Sequence, residues 1–288
     1  MPQGRVIKAY NSFFYVETPD GLVTCKLRGK FKKRQGVYPG DLVEVGLLPD
    51  GTGVVERLLP RESLMRRPLV ANVDQAVLTF AAAQPDPHPL LVSRFLVLAE
   101  WSGIARILVC VNKSDLPPAA EAVFATCAAA GYPVLHVSAQ TGAGVEALRK
   151  ELSGHVTVFA GPSGVGKSSL LNAIEPGLAL QTGHVSEKIK RGRHTTRVAE
   201  LLPFGGGYIV DTPGFSSMEL DGIDEQKLPA YFPELRPHLG HCRFSPCSHS
   251  HEPDCAVKEA VAAGSIPQER YDAYLSILEE IRANKKKY

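Results

Sequence analysis

The sequence predicts a multidomain protein of three parts. An N-terminal all-β, OB-like barrel is expected over residues 1–66. A central α/β domain built around a phosphate-binding loop follows over 67–220, and a small, mostly helical, zinc-binding module over 221–288. Three observations predict this. Short alternating apolar runs separated by turn residues fill the N-terminal stretch. From residue 73 onward apolar runs alternate with helical stretches, and the segment Gly161-Pro162-Ser163-Gly164-Val165-Gly166-Lys167-Ser168 stands between one of each. Beyond 221, three cysteines and a histidine crowd together: Cys242, Cys247, His249 and Cys255.

Composition sets the outer bounds. The chain has 288 residues, 44% hydrophobic and 22% charged, the profile of an ordinary globular protein long enough for two or three domains. Formal net charge is +2, so any basic, nucleic-acid-binding surface must be local. The N-terminus lacks the apolar core of a signal peptide and no apolar run reaches transmembrane length, so no membrane partner and a cytoplasmic location are expected. In that compartment the six cysteines stay reduced, and a cysteine cluster points to metal rather than disulfides.

The N-terminal runs lie at 6–10, 13–17, 22–27, 42–46 and 54–58, with Pro19-Asp20-Gly21, Pro39-Gly40-Asp41 and Pro49-Asp50-Gly51 between them. Five strands in so short a stretch read as a small barrel, most simply an OB-fold. After the third run come Lys26, Arg28, Lys30, Lys32, Lys33 and Arg34, with Phe31 among them and no carboxylate between Asp20 and Asp41. On such a barrel this concentrated positive charge is a candidate contact to an RNA backbone; the plainer reading is a solvated loop.

In the central part, strands are expected at 75–81, 106–111, 134–137, 155–160, 199–202 and 208–210, and helices at 90–101, 119–130, 145–152 and 167–174. Such alternation implies a mostly parallel sheet covered on both faces. The phosphate loop fits G-x-x-x-x-G-K-[ST] at every fixed position, between an apolar run and a helix start, Ser169-Leu170-Leu171-Asn172-Ala173-Ile174. Its glycines allow backbone N–H groups to turn towards a β-phosphate, and the helix N-terminus adds positive potential. Lys167 is expected to reach the β- and γ-phosphates and Ser168 to ligate Mg²⁺.

The expected strand at 106–111 is followed by Asn112-Lys113-Ser114-Asp115. A carboxylate at Asp115 accepts two hydrogen bonds from guanine N1–H and its N2 amino group, whereas adenine would leave it unpaired. Asn112 would brace the base and loop, and the Lys113 stem would pack on the ring. Ser138-Ala139 follows the next strand, where a backbone N–H can meet guanine O6. These residues point to GTP and GDP as ligands.

Residues 184–197 are basic and poor in apolar groups, which reads as a surface loop. Within it Thr195 or Thr196, with Thr196 preferred, can bring a hydroxyl to Mg²⁺ and an N–H to the γ-phosphate. Asp211-Thr212-Pro213-Gly214 follows another apolar run. There Asp211 can hold Mg²⁺ through water, and Gly214 can offer its N–H to the γ-phosphate. In the last part, Cys242, Cys247, His249 and Cys255 form a tetrahedral donor set suited to structural Zn²⁺, with His241 and His251 as rival imidazoles. Cys25, Cys110 and Cys127 stand alone and read as core. A final helical stripe, Tyr271, Tyr274, Leu275, Leu278 and Ile281, is expected to dock on the zinc module.

The order of these motifs is unusual. In a Ras-like GTPase the phosphate loop precedes the base-reading tetrad; here 112–115 and 138–139 come before 161–168. With this circular permutation, the whole chain resembles the RsgA (YjeQ/YloQ) family of small ribosomal subunit biogenesis GTPases, on GPSGVGKSSLLN, GRHTT, DTPGF, NKSDL and the cysteine segment. The resemblance implies a GTP hydrolase that is a monomer. It would bind the small ribosomal subunit and its rRNA through the outer domains, act late in assembly, and leave after hydrolysis. Its cofactors would be Mg²⁺ with GTP and one structural Zn²⁺. Phe215 stands where Ras-like enzymes carry a water-orienting glutamine. The candidate catalytic residues are therefore Lys167, Thr196 and His194, and for His194 contact with RNA or solvent alone is an equal reading. Phe215 also sustains a second reading, a nucleotide-sensing RNA-binding module whose hydrolysis is incidental.

Overall fold

The structure, a computed structural model, describes residues 1–28, 36–66, 69–176, 178, 199–211, 220 and 222–285, and at Arg66 and Asp211 the backbone alone. β1 (Gln3–Tyr10), β2 (Phe13–Thr18), β3 (Gly21–Leu27), β4 (Leu42–Leu47) and β5 (Gly53–Leu58) form the barrel. Their order is β1-β2-β3-β5-β4, and β4 pairs back to β1, so the sheet closes. Only β3 and β5 run parallel within it. Alternation in the strands turns Val6, Phe14, Val16, Cys25, Val43, Val45 and Val55 into one interior cluster. The β1–β2 turn places Asn11 and Ser12 both at positive φ, the two-residue geometry that matches strand twist.

A short hairpin, β6 (Leu64–Arg66) with β7 (Leu69–Ala71), straddles the 66/67 position where the sequence changes character. Its Met65 and Val70 pack into the core of the central domain. Three-residue strands are too short for a periodic signal, which is why the pattern hides them.

The central domain runs β8 (Gln75–Ala81), α1 (Pro89–Trp101), β9 (Arg106–Asn112), α2 (Glu121–Ala129), β10 (Val134–His136), α3 (Val145–Leu152), β11 (Val156–Ala160), α4 (Lys167–Ile174), β12 (Glu200–Phe204) and β13 (Gly207–Asp211). The sheet order is β10-β9-β8-β11-β13-β12, parallel except for β12, which runs antiparallel to β13 and continues into the barrel through one pairing with β1. α1 and α2 cover one face through Phe95, Leu96 and Phe124; α3 and α4 cover the other through Leu148, Leu152, Leu170 and Ile174. All seven residues of β8 and all five of β11 are buried, as strands covered on both faces must be.

After two 3₁₀ turns, Leu228–Tyr231 and Pro233–His238, come α5 (Ala256–Ala262) and α6 (Gln268–Lys285). The stripe on α6 covers more than the cysteine module. Tyr271, Tyr274, Ile277, Leu278 and Ile281 share one core with Cys255, Phe232 and, from α1, Val97 and Leu98. Arg270 adds a buried ion pair to Glu234 at 2.5 Å and a 2.9 Å hydrogen bond to Ser93 of α1. The C-terminal module is thus fastened to the helix that leaves β8. Among the described residues no helix is long and apolar enough to cross a membrane.

Candidate nucleotide site and metal centre

The ends of β8, β9, β10 and β11 meet at one edge of the parallel sheet, where ligand crevices form in such folds. The phosphate loop leaves β11 there. Gly161 has φ of 145°, and a Cβ on it would stand 2.0 Å from the carbonyl oxygen of Thr79 in the neighbouring strand. Gly166 has φ of 88°, and its Cβ would lie 2.5 Å from Asn112 Nδ2. Both positions therefore require glycine. Lys167 opens α4, with Ser168 and Ser169 in its first turn. Lys167 Nζ donates to the carbonyls of Gly161 at 2.7 Å and Pro162 at 2.6 Å, which arches the side chain back over the loop. Burial lowers the pKa of this ammonium, so a nearby anion is favoured as its charge partner.

Asn112 ends β9 beneath the loop and is 2% exposed. Its Nδ2 donates to Val165 O at 2.9 Å, and its Oδ1 accepts from the Ala139 N–H at 3.1 Å. One side chain thereby ties the phosphate loop, the tetrad and the turn after β10. Lys113, at φ of 60°, donates from Nζ to Gly164 O at 2.9 Å and to the carbonyl of Gln84. Asp115 Oδ1 accepts from Ser138 Oγ at 2.5 Å, and Ser138 Oγ accepts from the Thr141 N–H at 3.1 Å. The hydrogen bond engages one carboxylate oxygen, and the side-chain bonds of Asn112 and Lys113 hold the phosphate loop beside this turn. The chemistry on offer is a planar base with adjacent N–H donors at one end and a polyphosphate at the other.

One participant, Gln84, escaped the sequence, and the part played by another, Ser138, is wider than its position foretold. Ser138 had no signal but its position, yet it orients the Asp115 carboxylate. Gln84 acts through a backbone carbonyl, which leaves no trace in residue identity. Other candidates lie outside the described residues: His194, Thr195 and Thr196, Gly214, and the side chain of Asp211. The backbone of Asp211 ends β13, which runs parallel beside β11.

On the barrel, Lys26 and Arg28 are described, whereas Lys30, Lys32, Lys33 and Arg34 are not. Lys26 Nζ sits 5.2 Å from the centre of the Phe13 ring. Arg28 pairs with Glu56 at 2.7 Å, a carboxylate brought in from β5 that the local sequence could not reveal.

Cys242, Cys247, His249 and Cys255 place one donor atom each within 4.8 Å of all the others. Cys242 and Cys247 sulfurs lie 3.7 and 3.8 Å from that of Cys255, and His249 Nδ1 is 3.4 Å from the sulfurs of Cys242 and Cys255. Four tetrahedral ligands with Zn–S near 2.3 Å put sulfurs about 3.8 Å apart, so the donor set fits that ion. His249 is the buried imidazole, while His251 is exposed and contacts Ser250. The knuckle is braced from α6: Tyr271 donates to His249 O at 2.9 Å and Tyr274 to Ser248 O at 2.6 Å. Burial would raise the Glu252 carboxyl. Hydrogen bonds from the Ser248 hydroxyl and from the N–H groups of Ser248 and Ser250 outweigh burial and hold it at about 2.

Comparison with known proteins adds to this geometry. Residues 57–221 match the family described as RsgA GTPase, and residues 3–55 match the RsgA N-terminal domain. The chain is 45% identical over 289 residues to the small ribosomal subunit biogenesis GTPase RsgA of Moorella thermoacetica, covering 99% of each chain. It is 45% identical over 295 residues to the protein of the same description from a Geobacillus species, covering 100% of both. Among solved structures it is similar to YjeQ from Thermotoga maritima, with a TM-score of 0.84 and 39% identity, covering 97% of this chain and 98% of that one. It is also similar to YloQ, described as a circularly permuted GTPase, with a TM-score of 0.81 and 35% identity, covering 99% and 96%.

Proposed function

The chain belongs to the RsgA family of circularly permuted GTPases, and from that premise we propose that it hydrolyses GTP on the small ribosomal subunit during late assembly and leaves when the γ-phosphate is gone. Asp115, aimed by Ser138, reads guanine N1–H and the N2 amino group. The Ser138-Ala139 turn lies towards O6, and the Lys113 stem covers the ring. The loop from Gly161 to Lys167, with Ser168 and Ser169, cradles the phosphates. Ser168 and Thr196 would ligate Mg²⁺ and Asp211 would hold it through water; the ion would offset phosphate charge. Thr195, Thr196 and Gly214 sense the γ-phosphate, and His194 is the candidate to orient water. Cys242, Cys247, His249 and Cys255 hold a structural Zn²⁺. Lys26, Arg28, Lys30, Lys32, Lys33 and Arg34 meet the rRNA backbone.

The observation that carries this reading is the clamp at Asn112, which joins phosphate loop, base-reading tetrad and O6 turn through 2.9 and 3.1 Å hydrogen bonds despite the permuted order. Co-sedimentation tests the partner. The protein is expected to pellet with small subunits in a non-hydrolysable GTP analogue and far less in GDP. Pelleting with large subunits instead, or equally in both nucleotides, would overturn the assignment.

A further inference from the structure

The barrel and the central sheet meet at a joint that the nucleotide motifs do not explain. β1 pairs with β12 at a single rung, Lys8 opposite Glu200, and Lys8 Nζ donates to Glu200 Oε2 at 2.6 Å. On its other side Glu200 is paired with Asp211, the last residue of β13. One rung therefore runs from the barrel through Glu200 to the backbone of Asp211. A second contact lies farther along β13: the Tyr208 hydroxyl donates to Glu17 of β2, and the Arg5 guanidinium lies 5.4 Å over the Tyr208 ring.

The two strands gripped here adjoin, in sequence, the γ-phosphate-sensing candidates. The basic 184–197 segment ends three residues before Glu200, and Thr212-Pro213-Gly214 begins directly after Asp211. β12 and β13 form an antiparallel hairpin paired from Glu200–Asp211 to Phe204–Gly207, so a displacement applied at Glu200 is shared by both strands.

We propose that Lys8 and Glu200 are positioning residues for GTP hydrolysis: they pass engagement of the barrel to the backbone at Asp211 and at the exit of the 184–197 segment. The inference rests on the small-subunit reading above. Barrel and site need only shift slightly for this to matter, because a misplacement of about 1 Å at a reacting centre costs about a hundredfold in rate. Simple adhesion is a poor account of the pair. The side chains are 39% and 29% exposed, and a salt bridge so open to water adds little to folding stability.

The test uses the full chain and steady-state GTP turnover with and without small subunits, for Lys8→Ala, Glu200→Gln, the conservative Lys8→Arg, and the reversed pair Lys8→Glu/Glu200→Lys. Stimulated kcat is expected to fall about three- to tenfold in the first two, the range of energetic coupling between linked elements. Unstimulated kcat, KM for GTP, Tm and subunit co-sedimentation should stay as in the unaltered protein. The arginine variant and the reversed pair should recover stimulation. Full stimulation in the single variants overturns the inference, as does an equal loss of stimulated and unstimulated turnover. If the unaltered protein is not stimulated by small subunits, the functional reading falls first and this inference with it.

Discussion

Asp115 and Ser138 show how far residue identity alone reaches. The N-K-x-D pattern marked the carboxylate, because only an acceptor pair suits guanine's adjacent donors. The 2.5 Å bond that aims it depends on where β10 ends, and a lone serine gives no warning of that. Likewise the glycines at 161 and 166 were legible as a loop, but their steric reason lies in Thr79 and Asn112, from other strands. Asp115→Asn should weaken GTP binding by about 2–3 kcal/mol, the cost of breaking charged hydrogen bonds. It should at the same time improve binding of xanthosine triphosphate, whose C2 carbonyl accepts from a carboxamide. Titration with fluorescent nucleotides measures both; unchanged GTP affinity would remove Asp115 from base recognition.

At the scale of elements, strands with clear alternation and helices with apolar stripes were readable, as with α3 and α4, whose bounds coincide with the expected 145–152 and 167–174. The β6–β7 hairpin was not, since its strands span three residues each. The Cys/His knuckle was readable from donor spacing, but the choice among His241, His249 and His251 needed the fold. Chelation of zinc is expected to release one ion per chain and to melt the C-terminal module at lower temperature, because such sites supply folding energy directly. Guanine nucleotide binding should persist, because Asn112, Asp115, Ser138 and the phosphate loop take no part in the core that α6 shares with the knuckle. Calorimetry with metal analysis checks this, and retention of the original melting transition by metal-free protein would contradict it. Glu252 adds a pH signature. A carboxylate held near 2, below its ordinary 4.5, contributes stability above 4.5 that is lost as pH falls through 2. Glu252→Gln is therefore expected to cost about 1 kcal/mol at neutral pH, the worth of a partly exposed, hydrogen-bonded charge. The gap between the two proteins should close as pH drops from 4.5 towards 2, as followed by urea unfolding.

For the whole molecule, the three-part plan and the permuted motif order were visible in the sequence, because each motif has its own local chemistry. The joints between domains were not, for they rest on long-range pairings such as Lys8 with Glu200 and Arg270 with Ser93. Arg270 joins α6 to α1 and a 3₁₀ turn with both ion-pair side chains at most 5% exposed. Arg270→Ala strands a buried carboxylate, so a loss of about 3–5 kcal/mol is expected, read as earlier release of the C-terminal module in thermal unfolding. A change under 1 kcal/mol would mean that Glu234 finds water or another partner.

The functional reading turns on whether the small subunit completes the guanine-specific chemistry. GTP turnover by the full chain, alone and with isolated small subunits, with large subunits and ATP as controls, addresses it directly. Slow turnover alone, strongly accelerated by small subunits and confined to GTP, is the predicted result. Acceleration by large subunits, or turnover indifferent to either subunit, would contradict the account.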